Sequence, residues 1–121
     1  MLRDDAVLVD IVRFVKDIAL FVAGSDEEAF RRDLKTQAAV LHRLLLMGEA
    51  VGRLSPRFKQ DHPAIRWTRI RDFRNILIHE YDRVTLGRVW HVVQRELPAL
   101  LPQLEALLPP VPSSDDEGHS T

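Results

Sequence analysis

Between Asp33 and Leu54 two apolar lines run at helical spacing. One is Leu34, Ala38, Leu41 and Leu45, and the other is Val40, Leu44, Met47, Val51 and Leu54. A helix that lies on a surface needs one apolar stripe, because it has one core to face. A stripe this wide predicts a central helix with neighbours on two sides. That requirement constrains the fold more than any other feature, since the rest of the chain must supply the neighbours. Gly48 and Gly52 sit inside this helix, where each costs roughly 1 kcal/mol relative to alanine. Close approach of another backbone would justify them. Glu49, beside Gly48, must face solvent or pair with a cation.

The neighbours are legible in the same way. Val7, Ile11, Phe14, Val15, Ile18 and Phe21 or Val22 recur at spacings of three and four, so residues 2–23 read as a helix that stops at Gly24. Ser25-Asp26-Glu27-Glu28 resembles a capping box, with Ser25 as N-cap and Glu28 reaching back, and opens a short helix to Arg31 or Arg32. Ser55-Pro56 ends or re-caps the central helix, because proline suits a first helical position. Arg57 to Asp61 can form one turn, Pro63 marks a connector, and Ile65 to Ile78 reads as a further helix. Thr85 is a fair N-cap for the last one, whose stripe runs from Leu86 through Val89, Trp90, Val93 and Leu97 to Leu108. Pro98 and Pro102 each remove a backbone hydrogen bond there and should kink it. No stretch alternates as a strand. The fold class expected is all-α: a bundle of four main helices with one or two short extra ones, over 1–108. Residues 109–121, proline-rich and then acidic, are expected to be a disordered tail.

Composition narrows the function classes. A chain of 121 residues without cysteine has no disulfide framework and no thiolate metal site. Its longest apolar run, Ile18 to Ala23, is far short of a membrane span, and its N-terminus has no signal-peptide pattern. A soluble, cytoplasmic protein is expected. The net charge of −1 conceals an uneven distribution. Without Asp115, Asp116 and Glu117 of the tail, 17 basic residues face 15 acidic ones. From Arg53 to Arg74, seven basic residues (Arg53, Arg57, Lys59, Arg66, Arg69, Arg71, Arg74) face only Asp61 and Asp72. Such an excess fits a polyanion footprint, and Arg66, Arg69 and Arg71 are the RNA-binding candidates. A merely solvated helix face is the plain alternative.

The basic run leads into Arg71-Asp72-Phe73-Arg74-Asn75-Ile76-Leu77-Ile78-His79-Glu80-Tyr81. On a helix Arg71, Asn75 and His79 share one face, so Asn75 could orient the His79 imidazole. Arg74 stands about 140° from His79. For both to meet one phosphate, the helix must end near His79 or both must face a shared groove. Cleaving RNA by attack of its own 2′-hydroxyl needs a base, an acid and a cation to steady the phosphorane. Histidine serves either proton role near neutral pH, and a guanidinium fork suits phosphate. One chain has one histidine in this stretch, so a two-fold homodimer would complete the set. No metal and no cofactor is required. A surface cation and a helix-capping histidine are the bland reading of the same residues. His42, His62, His91 and His119 have no partners at catalytic or metal spacing. His79-Glu80 begins like a zinc-protease helix, but Arg83 stands where the second histidine belongs.

Arg74-Asn75-Ile76-Leu77-Ile78-His79-Glu80-Tyr81 resembles the R-N-x-x-x-H-x-Y signature of HepT-like toxins in the HEPN superfamily of α-helical ribonucleases. Gly48-Glu49-Ala50 is similar to that family's G-E-A motif. Ile65-Arg66-Trp67 resembles its I-P-W segment, with Arg66 where proline is common, and Arg71-Asp72-Phe73 stands where R-G-M is common. Val89-Trp90 and Leu97-Pro98 match its last helix, so the resemblance covers about residues 5–108. It implies a HEPN four-helix bundle that dimerises and cleaves RNA without a metal, as the toxin of a type VII-like toxin–antitoxin pair. Arg74 and His79 would be catalytic through the R-x-x-x-x-H motif, with Asn75 in support. The implied antitoxin is a minimal nucleotidyltransferase (MNT-type) that transfers AMP from ATP onto Tyr81. RNA, this antitoxin and a second copy of the chain are the implied partners; DNA and membrane are not. Two other readings stand beside it: a HEPN module that binds nucleotides or partners without cleaving RNA, and a structural dimer partner that only presents Tyr81.

Overall fold

A computed structural model describes residues 2–79 and 85–110. Tyr81 and the tail from Val111 onward lie outside the described residues. Among the described residues the structure is helical throughout, with no strand. The elements are α1 (Leu2–Val22), α2 (Glu27–Arg32), α3 (Leu34–Arg53), α4 (Pro56–Asp61), α5 (Trp67–His79), α6 (Leu86–His91), a π-helical turn (Val92–Glu96) and α7 (Leu97–Glu105). The four main helical rods are α1, α3, α5 and the run from α6 to α7; α2 and α4 are the short extras.

α3 is the central helix that its two apolar lines require. It packs on α1 along one side and on α5 along the other, while α7 closes over α1. Val40, Leu44, Met47, Ala50 and Val51 of α3 meet Leu8, Ile11, Val15 and Ile18 of α1 in one core that also holds Val89, Leu97 and Leu104. α2 is anchored by Phe30, fully buried, whose ring lies 5.2 Å from that of Trp90. Gln37 of α3, also buried, donates from Nε2 to the carbonyls of Phe30 (2.8 Å) and Arg31 (3.0 Å). It thereby satisfies the Arg31 carbonyl at the end of α2 and adds a second bond to the Phe30 carbonyl, which also accepts from the Asp33 N–H.

The short helices differ from the sequence expectation at one cap. α2 is capped by Asp26, which accepts from the Ala29 N–H at 2.8 Å, and not by Ser25. The Ser25 N–H already closes the end of α1 on the Val22 carbonyl at 2.9 Å, after Gly24 turns the chain at φ 78°. No donor is left there for Glu28 to cap, and Glu28 pairs with Arg32 instead. Ser55 caps α4 with Pro56 at its start, as the sequence suggests. α5 begins at Trp67, two residues later than expected, because residues 62–66 turn beneath it and Trp67 donates its indole N–H to the His62 carbonyl at 3.0 Å.

The last helix was expected to kink at its prolines. The structure widens a turn ahead of Pro98 and keeps Pro102 inside α7. The Leu97 N–H bonds the Val92 carbonyl, five residues back. An ordinary turn would press the Pro98 ring on the carbonyl four residues before it, which has no N–H to receive there. A π turn is the local way to absorb that conflict. Regular helix ends at Glu105 and continues as turns to Leu108.

Polar links fix how these rods stack. Asp4 is only 3% exposed and accepts from both the Ser55 N–H (2.8 Å) and the Ser55 hydroxyl (2.7 Å). These bonds, the backbone one first, hold its carboxyl below the ordinary carboxylate value. Asp17 pairs with Arg43 at 3.1 Å, tying α1 to α3, and Lys16 pairs with Glu105 at 3.2 Å, tying α1 to α7. No described helix is long and apolar enough to cross a membrane.

Candidate active site

α5 is a poor core helix and a good platform. Only Trp67 and Leu77 are buried along its length. Its other residues leave polar groups at or near the surface, and its path is set by α3. At Gly48 a Cβ would collide with the Cβ of Arg74 and come within 2.6 Å of its Cγ. Gly48 is therefore the place where the two helices touch most closely, and what touches it is the aliphatic stem of Arg74. One turn further along α3, Gly52 lies beneath the Arg71 guanidinium, whose Cζ would be 3.6 Å from an added Cβ. The two glycines thus seat two arginine side chains, where the sequence suggested a neighbouring backbone.

Arg74 is held at its tip as well as its stem. Its NH1 donates to Asn75 Oδ1 at 3.0 Å, and its NH2 stands 3.7 Å from Glu49 Oε1. Its Nε is buried and has no hydrogen-bond partner among the described residues. The Arg74 side chain is 28% exposed and that of Glu49 47%, so the pair sits at the lip of the α3–α5 crossing. Glu49 is both half-exposed and paired, resolving the alternative that its position left open.

His79 is the last residue of α5 and is exposed, next to Ile78, itself 43% exposed. Residues 80–84, which would show whether the helix ends near His79, lie outside the described residues. The structure does not join His79 to Arg74 or Asn75 through any hydrogen bond of the described residues. The Asn75 carbonyl oxygen accepts from the neighbouring Arg74 guanidinium.

Arg66, Arg69 and Arg71 line one open groove of ≈ 1200 Å³ between α5 and the α6–α7 rod, floored by Val51, Ile70 and Val92. Arg74, Asn75 and His79 are not among its lining residues. Arg66 and Arg71 are exposed and have no carboxylate partner among the described residues, whereas Arg69 pairs with Glu96 at 2.9 Å. Glu96 belongs to the π turn, and nothing in the spacing of Arg69 and Glu96 signals their meeting. Arg88 stacks over the Phe73 ring at 5.5 Å on the same side, another contact that periodicity does not reveal. Among the described residues no group of three or more His, Cys, Asp or Glu side chains could hold a metal ion.

Comparison with known proteins decides the family. Residues 11–107 match the family model described as "Ribonuclease HepT-like". The chain belongs to the HepT-like ribonuclease family. It is 31% identical over 111 residues to "Putative RNase MJ0127" of Methanocaldococcus jannaschii, covering 92% of each chain. It is 35% identical over 100 residues to "Probable ribonuclease HepT" of Thermococcus cleftensis, covering 83% of this chain and 91% of the relative. No solved structure matches. The matched region of this HepT-like chain takes in α3, α5 and the α6–α7 rod, so every candidate residue with a described position lies within it.

Proposed function

We propose that this protein is the RNase toxin of a toxin–antitoxin pair, cleaving RNA with Arg74 and His79 and silenced by AMP transfer to Tyr81. Family membership supports RNA cleavage. The observation that carries the site assignment is the seat of Arg74. A cationic side chain whose stem occupies a place only glycine can leave open, and whose tip is tied to Asn75 and Glu49, is pre-positioned rather than merely solvated.

In this mechanism an imidazole takes the proton of the 2′-hydroxyl, whose oxygen attacks the adjacent phosphorus. The 5′-oxygen leaves and takes a proton from an acid. Arg74 steadies the charge on the phosphorane between these steps. One His79 serves as base or acid, and the second role falls to His79 of a second copy in a two-fold homodimer. Asn75 supports by fixing the fork of Arg74. Arg66, Arg69 and Arg71 guide the flanking strand along their groove, where the apolar floor can take bases and the cations take phosphates. The chemistry needs no metal, and the site of action is the cytoplasm.

Silencing has a matching logic. A minimal nucleotidyltransferase directs the Tyr81 hydroxyl at the α-phosphate of ATP, forming a phosphodiester and releasing pyrophosphate. The added nucleotide brings negative charge and bulk to the position two residues past His79, where substrate phosphate must sit.

The test is RNA cleavage in the presence of EDTA by wild type, His79→Ala and Arg74→Ala. Wild type should cut, and each variant should lose about 10²–10⁴ in rate while keeping its helical signal. Strict dependence on Mg²⁺ or Mn²⁺ would contradict the mechanism. Mixed dimers of the two variants should regain partial activity where one site draws on both chains. Coexpressed with the transferase, wild type should gain mass in AMP units and Tyr81→Phe none.

A further inference from the structure

We infer that Glu49 is a positioning residue for Arg74: it orients the guanidinium so that two N–H groups stay directed outward for the phosphate. This rests on the reading of Arg74 as the phosphate-binding cation. A guanidinium carries five N–H donors, one on Nε and two on each terminal nitrogen. The Nε is buried within the α3–α5 contact. One NH1 hydrogen goes to Asn75 Oδ1 at 3.0 Å. NH2 faces the Glu49 carboxylate at 3.7 Å, longer than a direct hydrogen bond but close enough to align a charge. The second hydrogen of NH1 and the hydrogens of NH2 remain for gripping two phosphate oxygens.

The backbone makes this arrangement specific. Gly48 precedes Glu49 on α3, and the Arg74 stem lies against the bare Gly48 Cα because no Cβ fits there. The same two consecutive residues therefore set both ends of one side chain: Gly48 sets the stem and Glu49 sets the tip. Glu49 is 47% exposed, so it makes no contribution to the core that would explain it otherwise. A carboxylate at this lip also opposes the approach of RNA phosphate. Its two effects on catalysis therefore have opposite signs, which makes them separable. Orientation of Arg74 shows in kcat, and repulsion of substrate shows in KM.

Glu49→Gln keeps the shape and removes the charge. With RNA as substrate, kcat should fall about tenfold while KM also falls, by about two- to threefold, as a negative charge leaves the lip. A fall in kcat with raised KM, or unchanged kcat, overturns the inference. A second readout does not need activity. In a ¹⁵N spectrum of arginine side chains, the Arg74 Nε–H of wild type should exchange slowly and stand apart from those of exposed arginines. Glu49→Gln should speed that exchange at least tenfold with the backbone spectrum otherwise unchanged. Unaltered Arg74 exchange overturns the positioning role even if the protein cleaves RNA. If wild type instead shows no cleavage that depends on His79 while Arg74 exchange responds to Glu49, the reading of the site fails and the positioning stands.

Discussion

The two sides of α3 are built on opposite principles. On the α1 side the contact is apolar and sealed, with Leu8, Ile11 and Ile18 essentially without exposure against Val40 and Val51. Its buried carboxylate is satisfied, since Asp4 takes both donors of Ser55. On the α5 side the closest contact is an arginine stem on a glycine, and the pairs around it are half-exposed. One helix thus presents a face that holds the bundle together and a face that holds a cation at the surface. The difference teaches where chemistry can be placed: the α1 interface is closed mainly by apolar side chains, whereas the α5 interface orients a guanidinium without consuming it.

Substitutions can break this contrast in order of size. Leu8→Ala should cost the most stability, about 2–5 kcal/mol, since a fully buried side chain leaves a cavity. Chemical denaturation measures it, and RNA cleavage per folded molecule should not change. Gly48→Ala comes next. Alanine is the better helix former by roughly 1 kcal/mol, but its Cβ collides with the Arg74 stem, and overpacking of that kind costs about 1–3 kcal/mol. We expect a net loss of stability together with reduced cleavage, as α5 and Arg74 are pushed aside.

Gly52→Ala sharpens the comparison in the other direction. The nearest atom to its Cβ is Arg71 NH1 at 3.5 Å, the movable end of a long side chain. Here the helix preference should prevail, raising the thermal midpoint with a gain of up to about 1 kcal/mol. The smallest effect is in acid. The Asp4 carboxyl is held below its ordinary value of 3.8 by Ser55, so its contribution is fully present above that value and is lost as pH falls through the lowered one. Stability measured from pH 6 downward should therefore decline more steeply in wild type than in Asp4→Asn.

Much of this division was legible in the sequence because it follows from periodicity. The two apolar lines of α3 required neighbours on both sides, and α1 and α5 supply them. The glycines at 48 and 52 marked the close contact, but spacing could not say that the stem of Arg74 and the guanidinium of Arg71, rather than a backbone, would fill it. The cap falls on Asp26, which accepts from the Ala29 N–H, and the Ser25 N–H that Glu28 would reach is spent closing α1, a competition that a local motif cannot see. The i, i+4 spacing pairs Asn75 with His79 and gives no sign of the bond it accepts from the adjacent Arg74 guanidinium. The Arg69–Glu96 pair depends on the π turn before Pro98, and so on a tertiary solution to a local backbone conflict.

The central claim is that α5 carries chemistry while the α1 side carries stability. Measuring unfolding free energy and EDTA-resistant RNA cleavage on the same preparations of Arg74→Ala and Leu8→Ala tests it most directly. The account predicts a crossed result. Arg74→Ala should cost less stability than Leu8→Ala, since its side chain is 28% exposed, yet lose at least about 100-fold in rate. Leu8→Ala should lose about 2–5 kcal/mol and keep its rate per folded molecule. Arg74→Ala that cleaves RNA at the wild-type rate would contradict it.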